Sequence, residues 1–176
     1  QQGKKLNKND KDKKDVVSSE AKLQSLGHVD YLKNLTQNQQ QMLQSNDIQN
    51  YIPWRSVWKS TSLSTPCRLV FDASQPTSSG YSLNDVLAKG RNNMNHLQEI
   101  LIRWFTHFVG FHTDVQKMYN SVGLKQEDWC FQRYLWIDEL DPDGVVQEKV
   151  IKTLIYGVKS SGNQAERGLR QTAKMS

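Results

Sequence analysis

"WCFQRYLWIDELDPDGVVQEKVIKTLIY", residues 129–156, decides the fold class. Two runs rich in aromatic and β-branched residues, 129–137 and 150–156, read as strands, and the sequence between them holds Asp141-Pro142-Asp143-Gly144. Asp, Pro and Gly suit the first, second and fourth positions of a type I turn, so the stretch predicts a β-hairpin. Helical patterns lie on both sides of it. In 94–108, "MNHLQEILIRWFTHF", residues Leu97, Ile100, Leu101, Trp104, Phe105 and Phe108 recur at helical spacing and predict a helix with a broad core-facing stripe. After the hairpin, Ser160 or Ser161 can cap a helix running to the end of the chain, with Gly168 inside it costing about 1 kcal/mol against Ala.

The rest of the chain fills in around these elements. "CRLVF" (67–71) reads as a strand with Arg68 and Val70 on one face. Pro53 disfavours helix at Ile52, so "YIPWRSVW" (51–58) begins something extended. Residues 75–80 form a loop and 82–87 a capped helical turn. The run at 109–114 predicts a strand ending on Asp114, followed by a short helix over 116–121. Interspersed helices and strands with a hairpin make the fold class α+β.

The first 50 residues differ in character. Residues 1–15 hold six lysines and three aspartates, which is +3 of the formal charge of +5. A run of this kind predicts a solvated, disordered basic tail over 1–17 rather than a nucleic-acid-binding surface. Residues 18–50 predict a helical N-terminal segment or linker: Ser18 or Ser19 can cap, Leu23, Leu26, Leu32, Leu35, Met42 and Leu43 give an uneven stripe, and Gly27 interrupts it. The folded unit is then 51–176. The chain begins at Gln1, which suggests a processed product or a piece of a longer polypeptide.

Several function classes find no support. Cys67 and Cys130 form no CxxC, so neither a disulfide scaffold nor a zinc ribbon is expected. The four histidines make no i, i+4 pair. "ELDPDG" (139–144) imitates part of a calcium loop, but Val150 stands where the bidentate Glu belongs and Pro142 is wrong inside such a loop. No phosphate-loop pattern occurs, and Ser161 has no His/Asp partner set for nucleophilic catalysis. No apolar run is long enough for a membrane span, and no signal peptide is visible. Asp114 alone stands out by position, since a sheet can hold a strand-end carboxylate rigid while its head meets solvent. By local pattern it is also a good N-cap for 116–121.

Five segments taken together add a second reading. "CRLVFDAS", "GYSLNDVLAKG", "FHTDVQKMYNSV", "WCFQRYLW" and "KTLIYGVKSSGNQAERGLRQTA", in this order and spacing, resemble the reverse transcriptase of BEL/Pao-type LTR retrotransposons. The resemblance covers about residues 50–174. It implies a right-hand polymerase fold, of which this chain supplies the fingers and part of the palm, within a polyprotein that carries the remaining palm and thumb. Template-primer and deoxynucleoside triphosphates are the partners it implies, Mg2+ the cofactor, and the cytoplasm the location. Arg68 would hold the incoming triphosphate, with Lys59 as a second candidate. Asp114 would be the catalytic acid and ligate both magnesium ions, with the Val115 carbonyl adding a ligand. Tyr119 would lie under the sugar and exclude a ribose 2′-hydroxyl. Gly157 would let the backbone approach the nucleotide.

The chain departs from the family in three places. Gly162-Asn163 follows the Ser pair where Pro is common, and Arg91 likewise replaces a common Pro. No Tyr-x-Asp-Asp sequence and no adjacent aspartate pair occurs anywhere. The resemblance therefore implies a polymerase segment that is inactive alone. The alternatives are a non-catalytic retroelement remnant, at most a nucleic-acid-binding module, or a plain α+β interaction domain.

Overall fold

The computed structural model describes residues 10–59 and 66–175. Its first helix, α1 (Asp10–Ser25), ends in a Schellman motif: the His28 amide donates to the Leu23 carbonyl, the Gly27 amide donates to the Gln24 carbonyl, and Gly27 sits at φ +73°. Strand β1 (Val29–Tyr31) follows directly. A single 3₁₀ turn then leads to α2 (Gln37–Gln44), which opens with a reciprocal capping box between Thr36 and Gln39. Strands β2 (Trp54–Trp58) and β3 (Cys67–Phe71) pair antiparallel as a separate ribbon. Helix α3 (Leu83–Val86) is a single turn with its own capping box between Ser82 and Asp85. Next come α4 (Leu97–Phe105), 3₁₀ segments at Tyr119–Ser121 and Gln126–Phe131, strands β4 (Arg133–Ile137) and β5 (Val146–Ile151), and α5 (Ser161–Met175). The class is α+β, as the interspersed patterns predict. No helix among the described residues is long and apolar enough to cross a membrane.

β5 is the centre of a three-stranded antiparallel sheet ordered β1-β5-β4. Its alternation separates two cores. Ile151, with Val29, Tyr134 and Trp136, faces α1 and the β2–β3 ribbon; the Phe71 ring meets Tyr134 edge-on at 5.1 Å, and Trp54 meets Trp136 at the same distance. Val150 faces the other way, onto Leu35, Leu43, Trp129 and Cys130. The predicted hairpin is present, with the Gly144 amide closing a turn onto the Asp141 carbonyl. Its strands are displaced from the predicted ones. Trp129 and Cys130 belong to a 3₁₀ segment, and the second strand runs 146–151 rather than 150–156. Beyond it, 152–154 form only an isolated bridge outside the named strands, and Thr153, Leu154 and Ile155 are buried.

Lys149 is a charged residue on the central strand and is fully buried. It points at α1, where Glu20 and Gln24, four residues apart and so on one face, receive it. Its Nζ lies 2.6 Å from Glu20 Oε1 and 2.9 Å from Gln24 Oε1, and 3.8 Å from the centre of the Tyr31 ring. Glu20 Oε1 also accepts from the Tyr134 hydroxyl at 2.9 Å. Burial lowers the Lys149 ammonium below its ordinary value despite Glu20, and burial with the Glu20 charge raises the Tyr134 hydroxyl far above its own.

These contacts correct the expected domain boundaries. Residues 1–9 lie outside the described residues, but 10–17, expected as tail, are helical, and Val16 is fully buried in the main core. Ser19 is not a cap; its hydroxyl donates to the Cys67 carbonyl. Residues 18–50 are not a linker, because β1 pairs with β5 over Val29–Ile151 to Tyr31–Lys149. Two further expectations fail. Helix α4 is shorter than 94–108 and buries none of its residues. Residues 109–115 form no strand: all are exposed. Alternating apolar residues permit a strand, but a strand also needs a partner edge, and none of the described strands pairs with this segment.

Candidate functional site

The segments that frame a site are joined by backbone bonds. Residues 122–124 run antiparallel to 152–154: the Leu124 amide donates to the Lys152 carbonyl, and the Leu154 amide to the Val122 carbonyl. Asn120 Nδ2 donates to the Leu154 carbonyl at 3.3 Å. This short ladder fixes the turn at 119–121, so that the Tyr119 ring rests on Tyr156 with centroids 4.2 Å apart. The Tyr119 hydroxyl lies beside the start of α5, where a Cβ on Gly162 would come within 3.8 Å of it.

The glycine turn that follows Tyr156 is clamped from the other side. Gly157 has φ +93°, and a Cβ there would lie 2.8 Å from the Phe71 carbonyl oxygen, the last residue of β3. Asn84, on α3, holds the turn twice: its Nδ2 donates to the Gly157 carbonyl and its Oδ1 accepts from the Lys159 amide, both at 2.8 Å. The same Nδ2 donates to Ser74 Oγ at 2.8 Å, tying the turn to the segment after β3. The Ser82 hydroxyl and amide hold the Asp85 carboxyl below its ordinary value, consistent with a formed cap on α3. Gly157 is thus where the backbone of one segment approaches that of another closely, and the close approach is to protein backbone.

Arg68 and Lys59 belong to the β2–β3 ribbon. Register pairs Val57 with Arg68, and the Lys59 amide donates to the Pro66 carbonyl one step further on. By alternation Lys59 and Arg68 therefore share a face of the ribbon, and both are exposed. Arg55, opposite Val70, stands on that face too. Sequence reading passed over Arg55, although its spacing of two and four from Val57 and Lys59 carried the signal. It also passed over Asn84 and Tyr156, whose roles depend on segments about forty or seventy residues away and leave no local pattern.

Asp114 and Val115 stand apart from this framework. Both are exposed and lie on the unpaired stretch before the turn at 116–118. Among the described residues Asp114 has no hydrogen bond or ion pair, so neither the strand-end placement nor the cap for 116–121 is what the structure has. No group of three or more His, Cys, Asp or Glu side chains that could hold a metal ion occurs among the described residues. A two-magnesium site needs several carboxylate oxygens, and Asp114 supplies one carboxylate. The donors present do not fit the magnesium pair that the resemblance implies, and no chemical step follows from them. Both cysteines are buried, and burial raises both thiols, which makes them poor nucleophiles.

No family model matches the chain, and no curated protein matches it.

Proposed function

We propose that the chain is the fingers and first palm segment of an RNA-directed DNA polymerase of the BEL/Pao type. In this reading the complete enzyme extends a primer 3′-hydroxyl with deoxynucleotides in the presence of Mg2+, and the chain by itself binds but does not catalyse. The observation that carries the reading is the contact of Tyr119 with Tyr156, next to Gly157 and the start of α5. Two motifs of the resemblance, nearly forty residues apart, meet there, as a sugar-sensing aromatic beside a nucleotide-binding glycine turn requires. Asn84 supports it further by joining the third motif to the same turn. Arg68 and Lys59, on one ribbon face, suit a triphosphate, because guanidinium and ammonium groups bind phosphate oxygens by charge-assisted hydrogen bonds.

A second reading, a non-catalytic remnant that at most binds nucleic acid, is favoured by one observation. Asp114 stands on exposed, unpaired backbone with no carboxylate partner. One experiment separates the two. The chain is joined to a downstream palm segment carrying Tyr-x-Asp-Asp, and primer extension is measured with deoxy- and ribonucleotides. The polymerase reading expects extension that Asp114→Asn abolishes, and Tyr119→Val should admit ribonucleotides. Extension indifferent to Asp114, or unchanged sugar selection in Tyr119→Val, would remove these residues from the site.

A further inference from the structure

Helix α5 and the loop over 88–96 are fastened together and carry positive charge that nothing near them balances. Asn163 Nδ2 donates to the Arg91 carbonyl at 2.6 Å, and the Arg170 guanidinium donates to the Asn93 carbonyl. Gly90 passes so close to the helix that a Cβ there would lie 2.6 Å from Asn163 Cγ. At 100° per residue, Asn163, Arg167, Arg170 and Lys174 fall within about 60° of one another, so they form one stripe with the loop beside it. The stripe turns away from the body of the protein: Ala165 is buried on the other side of the helix, where a Cβ on Gly168 would meet Val122.

Lys89, Arg91, Arg167, Arg170 and Lys174 are all exposed, and among the described residues none of them forms an ion pair. The one acid in 88–98 and 161–175 is Glu166, and one of its carboxyl oxygens is buried. Five cations against one acid give these two segments +4 of the chain's formal +5.

The chemistry of the surface narrows its partner. Arg167, Arg170 and Lys174 span about 10 Å at 1.5 Å per residue, a line of charge that suits a polyanion better than a small anion. Protein interfaces have an apolar, aromatic core, and the stripe has none. A helix that lies on an anionic membrane needs a free apolar face, whereas the side of α5 opposite its cations is packed on the protein. Proteins that hold single strands stack bases on aromatic rings, and neither segment contains Phe, Trp or Tyr. What remains is contact with the phosphates and sugars of a duplex, made by Arg and Lys and by the exposed amides of Asn92, Asn95 and Gln171.

We propose that α5 and the loop over 88–96 bind the backbone of a nucleic-acid duplex through Lys89, Arg91, Arg167, Arg170 and Lys174. This does not rest on the polymerase reading, because the stripe turns away from Tyr119 and needs neither Asp114 nor the ribbon.

The test is fluorescence anisotropy with a labelled DNA duplex of about 20 base pairs, titrated at several salt concentrations. In the triple variant Lys89→Gln, Arg167→Gln, Lys174→Gln, affinity at low salt should fall about tenfold or more, and the slope of log affinity against log salt should flatten by about two to three. The control Lys11→Gln, Lys14→Gln, Lys22→Gln removes as much charge from exposed positions of α1 and should change the slope by less than about one. Circular dichroism and the unfolding midpoint should be unchanged in both. Should the first variant misfold, the wild type still decides: the duplex should protect Lys89 and Lys174 from acetylation and leave Lys11 and Lys22 reactive. Arg68→Ala probes the ribbon separately, so a loss confined to Arg68→Ala would overturn this proposal, and a loss confined to the stripe variant would support it while removing the ribbon from nucleic acid. Equal losses in the two lysine-containing triple variants, tighter binding of a single strand of the same length, displacement by poly-glutamate as effective as by unlabelled duplex, or no protection of Lys89 and Lys174 would each overturn it.

Discussion

Glu20 Oε1 accepts from two buried donors at once, the Tyr134 hydroxyl on β4 and the Lys149 ammonium on β5, and the three groups fasten α1 to both strands. Removing the acceptor strands a buried cation, which costs more than any single hydrogen bond. Glu20→Ala is therefore expected to destabilise the fold by about 3–5 kcal/mol in urea denaturation. Tyr134→Phe removes one of two donors and should cost only about 1 kcal/mol. The same tyrosine gives a pH signature. Its pKa is raised in the folded state by burial and by Glu20, so its contribution is complete below the ordinary tyrosine value and is lost as pH rises beyond it. Lys149 acts in the opposite sense. Its lowered pKa means that the buried charge costs stability, and that cost fades as pH rises toward the ordinary lysine value. Stability of the wild type should fall above about pH 10, and Tyr134→Phe should fall less steeply. Equal slopes would show that Tyr134 is solvated. Gly157 and Gly27 offer a matched comparison. Both have positive φ, but only at Gly157 would a Cβ strike backbone, the Phe71 carbonyl at 2.8 Å, whereas nothing lies within 4 Å at Gly27. Alanine at 27 should cost about 1–2 kcal/mol for the conformation alone, and alanine at 157 distinctly more.

At the scale of elements, what the chain encodes locally could be read and what it encodes through partners could not. The capped turn at 82–87, the Asp-Pro-Asp-Gly turn, the extended segment at Pro53 and the helix from Ser161 all have local causes, and each is where the pattern puts it. The stripe on α4 was visible too, but a hydrophobic face records that something covers a helix and not what does. The strand predicted at 109–114 failed because alternation does not create a pairing edge. The lysine-rich start of α1 failed in the reverse direction. Its charge run reads as solvated, yet Val16, Glu20 and Gln24 recur every four residues and form the contact face. Of the candidate site, Tyr119 and Gly157 are candidates that motifs name and Arg55 one that its spacing could have named, whereas Asn84 and Tyr156 emerge only from tertiary packing. The revised boundary of α1 makes a prediction of its own. If residues 10–17 were tail, Val16→Ala would be neutral; as part of the core it should cost about 1–3 kcal/mol, read from the urea midpoint. Amides of 16–25 should then exchange with solvent at close to the rate of global unfolding.

For the whole molecule, the issue is whether the arrangement can catalyse nucleotide transfer without further sequence. Two magnesium ions held about 3.5–4 Å apart bring four positive charges together, and several carboxylate oxygens are needed to balance them. In the polymerase reading proposed above, Asp114 is the one acid at a catalytic position, and the Val115 carbonyl is neutral. Among the described residues no cluster of acids, histidines or cysteines comes together that could hold a metal. A single exposed carboxylate leaves magnesium largely in its water shell, because that ion gives up water reluctantly. On that same reading the proposed binding elements are better provided for than the proposed reacting one: the ribbon face with Arg55, Lys59 and Arg68 is cationic, and the glycine turn is fixed by Asn84. The expected result is thus divided. The purified chain should bind a recessed template-primer with an affinity that falls as salt rises, since phosphate contacts release counterions. It should extend that primer with neither magnesium nor manganese. Arg68→Ala should weaken binding at low salt and flatten the salt dependence, measured by fluorescence anisotropy. Template-dependent extension by the chain alone, abolished by Asp114→Asn so that a contaminating polymerase is excluded, would mean that other carboxylates complete the site. Binding that is absent even at low salt would instead detach the basic ribbon face from nucleic acid, and with it the polymerase reading of Arg68 and Lys59.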